Sequence, residues 1–308
     1  MIKRAASLVL ICMLMIACEN YRKDDYTDNS PTSGKLKVVC DEGLAAHIKN
    51  QALTFESQYK RAKLQVAVAN DDEAVKMLYH DSCEAIVISR LLNKNEEELF
   101  AAIQYYPRYS LVAYSGVAVI TNSATPLRTL EPEELGLLLQ GKSLRGSEQE
   151  AMQVLIDKNN SSVMRYLLDS IVRNGNFGPN CRSLGSSAQT VRYIAENPNV
   201  LGIVDFAWLS DRDDPTYKEV ATAVLFVAVK GRDGTAIEPN QSSFKLQTYP
   251  YTRPVYVMRK KGEFTIAKGF ESFVAGPKGQ LTFLKQGLLP ARQAERQVEV
   301  KFETLQTD

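Results

Sequence analysis

Between residues 155 and 171 the chain reads LIDKNNSSVMRYLLDSI: the end of an apolar strand, a polar turn, and the opening of a helix. Asn159, Asn160, Ser161 and Ser162 are all of the types that accept a hydrogen bond from the free N–H groups of a first helical turn, yet one cap is enough. Those N–H groups, with the positive end of the helix dipole behind them, also attract anions. The surplus points either to an over-capped helix or to one wall of an anion site. SLGSSAQTV, residues 183–191, repeats the pattern: Ser186 or Ser187 caps the next helix, and a second anion contact is the alternative. Catalytic chemistry has a weaker basis. GxSxG and HExxH patterns are missing, and His47 and His80, the two histidines, sit in no recognisable catalytic pattern. The chain reads as a binding protein, not an enzyme, with no cofactor.

The elements that must position these turns alternate along the chain. KLKVVC is a short apolar strand and LAAHIKNQALTFESQY has apolar residues at helical spacing; AKLQVAVA, DEAVKMLYH and EAIVIS continue as strand, helix and strand. Such alternation predicts βαβ units on a parallel sheet. YYPRYSLVAYSGVAVITNS is extended and long enough to cross from one lobe to another. A second α/β set follows, with helices at EPEELGLLLQ, from Ser161, and at SAQTVRYIAENP, and strands at MQVLI and VLGIVD. EVATAVLFVAVKGRDG predicts strands and an Asp-Gly hairpin turn. YPYTRPVYVM is β-rich, and Gly276-Pro277 separates two closing helices. In the loops CDEGL and NDDEA, acids at 41, 42, 71 and 72 read most simply as caps and first-turn charges of the helices that follow.

The N-terminus bears on compartment. Lys3 and Arg4 precede the apolar run AASLVLICMLMIA, which is short for a membrane span, and LMIAC places Cys18 where a bacterial lipobox has its lipidated cysteine. Residues 1–17 read as a lipoprotein signal peptide, and polar residues 18–34 as a flexible tether that holds the domain near a membrane face. The net charge of +1 over 308 residues, with no basic stripe, excludes nucleic acid as a partner. Cys40, Cys83 and Cys181 are an odd set with no zinc spacing. They read as buried hydrophobes, and no metal site is expected.

Four stretches, in order, resemble the phosphate-binding proteins of bacterial ABC importers, two-lobed periplasmic solute receptors. YSGVAVITNSATPLRTLEPEELGLLLQGK is similar to the crossover strand and following helix. TVRYIAENPNVLGIVDFAWL resembles the end of the second lobe, YPYTRPVYVM the return strand, and FVAGPKGQLTFLKQGLLP the closing helices. The resemblance implies an α/β fold of the type II periplasmic-binding-protein kind, with a hinge and an interlobe cleft. Residues 35–114 plus 249–308 would form lobe 1 and 115–248 lobe 2. It implies phosphate or a related oxyanion as ligand, an ABC permease as partner, a monomer, and a place on the periplasmic face of the cell envelope.

Carried over residue by residue, Ser89 stands where a ligand-contacting serine is expected, and Arg90 follows it as a source of positive charge or as a surface ion pair. Ser161 matches the family's glycine-serine-glycine-threonine turn, Ser162 and Val163 depart from it, and Asn160 replaces the first glycine as a residue tolerant of left-handed backbone. The family's arginine just upstream falls on Ile156 or Asp157. Asp41 and Glu42 stand where the family has hydroxylic residues; facing the cleft, they would repel a fully ionised anion and accept a hydrogen bond from a protonated one. Acids in two of the three loops keep open a second class of function, a receptor-like envelope interaction or sensing protein that no longer binds phosphate.

Overall fold

The computed structural model describes residues 29–144, 152–173, 175–231, 233–260 and 262–292; the signal-peptide reading, Cys18 and most of the tether lie outside them. In the first lobe β1 (Ser33–Cys40) has β2 (Arg61–Val68) parallel on one side and β3 (Ala85–Ile88) parallel on the other. The connections are α1 (Ala45–Gln58), entered through a 3-10 turn at Glu42–Leu44, and α2 (Asp71–Tyr79). All four residues of β3 are buried, as a strand covered on both faces requires. Ser33 and Gly34, read from sequence as the end of the tether, belong to β1, and Asn29 already accepts a bond from the Ile266 N–H at 2.9 Å. A helix absent from the sequence reading, α3 (Lys94–Ala102), is held by an Asn93–Glu96 capping box; it buries only Phe100, which leaves little apolar periodicity to read.

The chain then runs through β4 (Arg108–Asn122), β5 (Thr129–Leu130) and α4 (Pro132–Leu139) to β6 (Gln153–Lys158) and the short α5 (Ser162–Tyr166), which widens into a π turn over Leu167–Val172. Next come β7 (Cys181–Leu184), α6 (Ser187–Glu196) and β8 (Val200–Asp205), followed by a 3-10 turn at Phe206–Leu209. Asp214 caps and Pro215 opens α7 (Pro215–Val220), so the first residues of EVATA are helical rather than the expected strand. The strands come after it: β9 (Val224–Phe226), β10 (Ala228–Lys230) and β11 (Ala236–Ile237). β10 and β11 pair antiparallel around Asp233-Gly234, as the hairpin signal predicts. After α8 (Gln241–Lys245), β12 (Thr252–Arg259) returns to the first lobe, and α9 (Ile266–Val274), α10 (Pro277–Lys285) and β13 (Leu289–Pro290) follow.

The sheet order is β2-β1-β3-β12-β4-β8-β6-β7, with β9 and β13 also on β4. β4 serves both lobes: up to Gly116 it pairs antiparallel with β12, and from Val117 with β8. β6 lies parallel between β8 and β7. The carboxyl ends of β1, β3, β6 and β8 therefore open toward one cleft, the place where open α/β sheets present ligand-binding loops. Among the described residues no helix is long and apolar enough to cross a membrane.

Candidate interlobe site

Each residue of the NNSS turn has a separate task. Asn159 Oδ1 accepts from Ser183 Oγ at 2.7 Å, Asn160 takes the left-handed backbone (φ 58°), and Ser161 Oγ accepts from the Met164 N–H at 3.1 Å as the helix cap. Ser162, 3% exposed, is left over, and its hydroxyl donates to the Asp41 carboxylate from the other lobe. Asp41 occupies the N-cap position of the 42–44 turn without capping it. In α2 the cap is Asn70, accepting from the Glu73 N–H at 2.9 Å, rather than Asp71 or Asp72. Both loops thus release an aspartate from the helix-start duty that the sequence assigned to it, and both aspartates are buried.

The charge that answers them comes from Arg253 on β12. Its Nη1 donates to Ser162 Oγ at 3.1 Å, and its Nη2 forms an ion pair with Asp205 at the end of β8. Asp205 is held in turn by Ser115 Oγ at 2.7 Å and the Ala207 N–H at 2.8 Å. Gly43 lets the chain pass this pair: a Cβ there would lie 2.7 Å from the Asp205 Cβ. Arg253 and Asp205 are both essentially inaccessible. The result is a relay across the cleft, Asp205 to Arg253 to Ser162 to Asp41, built from β4, β8, β12, α5 and the loop after β1.

Other expected residues lie around the relay with different partners. Arg90 donates to both Glu96 oxygens, at 2.7 and 2.8 Å, and to Asp72 at 3.0 Å, with its Nε 3.6 Å from Asp71. Its charge is shared among three acids, in keeping with the ion-pair alternative. Ser89 is buried with an unpartnered Oγ. Glu42 spans the cleft to Lys158 at 2.6 Å, and Arg165 does so to Asp72. Of the second serine pair, Ser186 caps α6 while Ser187 donates to Asp157.

Burial dominates the electrostatics. It pushes the Asp41 carboxyl up to about 8, with Asp71 adding repulsion and Arg253 and Ser162 opposing. Asp71 is also raised, first by burial, against the pull of Arg253 and Arg90. Asp157 rises to about 6 for the same first reason, with the Ser187 hydrogen bond opposing. Near neutral pH the site therefore holds a mixture: a carboxyl able to donate a proton, a hydroxyl, a guanidinium, and buried atoms with no hydrogen-bond partner at Asp71 Oδ1, Ser89 Oγ, Arg90 Nε and Arg253 Nε. Among the described residues no cluster of His, Cys, Asp or Glu is arranged to hold a metal ion.

Arg253 and Asp205 are absent from the sequence-based site. A signal existed for the arginine: in the first part of β12 burial alternates at Arg253, Val255 and Val257, before Met258 and Arg259 are buried together, so Arg253 stands in the inward phase of the strand. A charged residue in that phase needs a partner, and only the fold shows which.

A mixed α/β fold of two lobes, with buried polar groups from both meeting in the cleft, is the periplasmic-binding-protein fold. The chain belongs to the PBP superfamily, whose domain matches residues 27–278. Among solved structures it is similar to a protein assigned as a phosphate ABC transporter substrate-binding protein, with bound phosphate, from Clostridium perfringens (17% identity, 84% of this chain and 100% of that one, TM-score 0.70). An ABC-type phosphate transport receptor from Vibrio cholerae (15%, 83% and 100%, TM-score 0.63) and PstS from Borrelia burgdorferi (13%, 84% and 99%, TM-score 0.55) share the fold. No curated protein matches the chain significantly.

Proposed function

We propose that this chain is a lipid-anchored solute receptor that takes a protonated oxyanion, phosphate foremost, into the interlobe cleft for ABC-type import. The observation that carries the reading is the Ser162 hydroxyl, held between Arg253 and Asp41 at a helix start, with unpartnered buried atoms beside it. A phosphate oxygen accepts from Arg253 and from the Ser162 hydroxyl once it turns away from Asp41, while a P–OH group donates to a buried carboxyl oxygen. Sulfate has no such proton to donate, and it meets repulsion wherever Asp41 or Asp71 is ionised. Titration calorimetry of the purified domain is expected to show heat for phosphate and none for sulfate at millimolar concentration.

The Arg253–Asp205 pair favours a second reading. With its guanidinium bound internally, the cleft is already closed on its own groups, as in a receptor-like protein that serves an envelope complex. Silence toward phosphate, phosphonates and sulfate alike, from folded protein, selects that reading. Membrane attachment is tested separately: Cys18→Ser is expected to release the chain from the membrane fraction with the domain still folded, and retention of the mutant after a salt wash counts against a lipid on Cys18.

A further inference from the structure

At the end of the first lobe away from the cleft, large apolar side chains stand in water. Phe264 is 83% exposed, Tyr106 67% and Tyr109 60%. The sheet brings them to one end. β12 runs antiparallel to both β3 and β4, so the starts of β1, β3 and β4 and the end of β12 lie together, opposite the carboxyl ends that face the cleft. There Met258 pairs with Tyr109 and Arg259 with Arg108. The turn that carries Phe264 follows directly, and Arg259 Nη1 ties it back by donating to the Gly262 carbonyl at 2.9 Å. Tyr106 and Tyr109 also line, with Leu91, Phe100 and Met258, an open groove of about 490 Å³. A single exposed ring is ordinary on a protein surface; three at one end, beside an apolar groove, call for a partner.

The N-terminal chain enters the domain at this same end. Asn29 Oδ1 accepts from the N–H of Ile266, two residues after Phe264, at 2.9 Å, and the Pro31 carbonyl packs against Gly269, where a side chain has no room. The entry point is therefore fixed on α9. Asn29 is eleven positions after Cys18, so an acyl group on Cys18 stands at most about 40 Å from it along a fully extended chain. A domain of this residue number is roughly 45–50 Å across. A connection shorter than the domain, attached at the end away from the cleft, keeps that end nearest the bilayer.

The charges of this end agree. Its acids are engaged: Asp81 forms an ion pair with Lys260, Glu84 Oε2 accepts from the Lys37 N–H at 3.1 Å, and Glu263 lies 3.4 Å from Arg259. Lys60 and Arg108, exposed at the starts of β2 and β4, have no ion pair among the described residues. Aromatic rings set among unpaired basic side chains suit a bilayer interface, the rings at head-group level and the cations toward lipid phosphates. We infer that the cleft-distal end of the first lobe rests on the lipid surface through Phe264, Tyr106 and Tyr109, which turns the cleft away from the bilayer. A contact of three rings is weak enough to be left and remade, so the anchored domain can still turn to deliver a ligand. This rests on the lipid reading of Cys18 and adds to it a face and an orientation.

The test uses the full chain made in a bacterium. Its membranes are washed with salt, and the retained protein is placed in vesicles of phosphatidylethanolamine and phosphatidylglycerol, with or without brominated acyl chains that quench tryptophan. Trp208 is the only tryptophan and lies just past the carboxyl end of β8, on the cleft side, so wild-type emission is expected to be unchanged by bromine. Phe264→Trp adds an emitter at the opposite end, and bromine is expected to remove at least about half of the added emission as the ring enters the acyl boundary. Phe264 is exposed, so the exchange disturbs no packing; should the variant still fail to fold, Tyr109→Trp is read in the same way. A chain retained on the membrane whose added emission is quenched no more than that of Trp208 overturns the inference and leaves the lipid anchor standing. A chain that the salt wash releases removes the anchor and this inference together.

Discussion

Replacing Arg253 with methionine is expected to destabilise the domain by about 3–5 kcal/mol, the usual loss when one partner of a buried ion pair is removed. The length of the side chain is nearly kept, so little of the effect comes from a void. What is lost is compensation. Asp205 stays behind fully buried, still bonded to Ser115 and to the Ala207 N–H but without its counter-charge, and Asp41 and Asp71 lose the attraction that opposes their mutual repulsion. The double variant Arg253→Met with Asp205→Asn removes both charges of the pair and should recover a large part of the loss, since replacing a buried pair is far milder than breaking one. Urea unfolding of the two variants gives the comparison. A single variant as stable as wild type would mean that Arg253 is not the charge that holds the lobes, and the relay would lose its centre. Phosphate affinity, where wild type shows it, should fall in the same single variant, because Nη1 is the donor that faces Ser162.

Why this arginine is hard to see in the sequence, while the strands around it are easy, is a matter of range. β1, β2, β3, β6 and β8 announce themselves by runs of Val, Ile and Leu between polar loops, and the helices α1, α2 and α6 by apolar spacing, all within windows of about ten residues. The relay has no such window. Ser162 lies 121 residues from Asp41 and 91 from Arg253, and Ser115 lies 90 from Asp205. Local rules even point the other way for the acids: an aspartate before a helix is ordinarily its cap. At α2 the cap went to Asn70, one residue earlier, and at the 42–44 turn Asp41 took the cap position and turned its carboxylate to Ser162 instead. The serines were legible because their surplus was local. Four capping residues in a row are one more than a cap and a turn can explain, and Ser162 is the one that reaches across. Arg90 shows the opposite outcome: its place after β3 drew attention, yet Glu96 from the unforeseen α3 binds both its terminal nitrogens.

The buried carboxyls give the domain a pH dependence whose sign can be worked out group by group. In an unfolded chain an aspartate titrates near 3.9; in the folded domain Asp41 is pushed up to about 8 and Asp157 to about 6, and Asp71 is raised as well. Raised acids hold protons in the folded state that the unfolded state has released, so the stability they contribute is full below about pH 4 and is lost as pH rises through the folded values. His47 acts in the reverse sense. Its pKa is lowered by burial, so below about 6.5 the unfolded chain binds the extra proton and stability falls as the pH falls. The two trends oppose each other under acid conditions, but between about pH 6.5 and 8 His47 is neutral in the folded state and only a residual fraction of the unfolded state's proton is left to lose, while Asp157 is largely ionised. Asp41 then dominates, and one proton held only in the folded state contributes up to about 1.4 kcal/mol per pH unit. Raising the pH from 6.5 to 8 should therefore cost the domain stability, on the order of 1 kcal/mol, read as a lower urea midpoint in buffer free of phosphate. Asp41→Asn, which keeps an acceptor for the Ser162 hydroxyl and cannot ionise, should flatten that slope. A wild-type midpoint that stays level or rises over this window would show that Asp41 is ionised at neutral pH, and the carboxyl could then only accept a proton from a bound phosphate, never donate one.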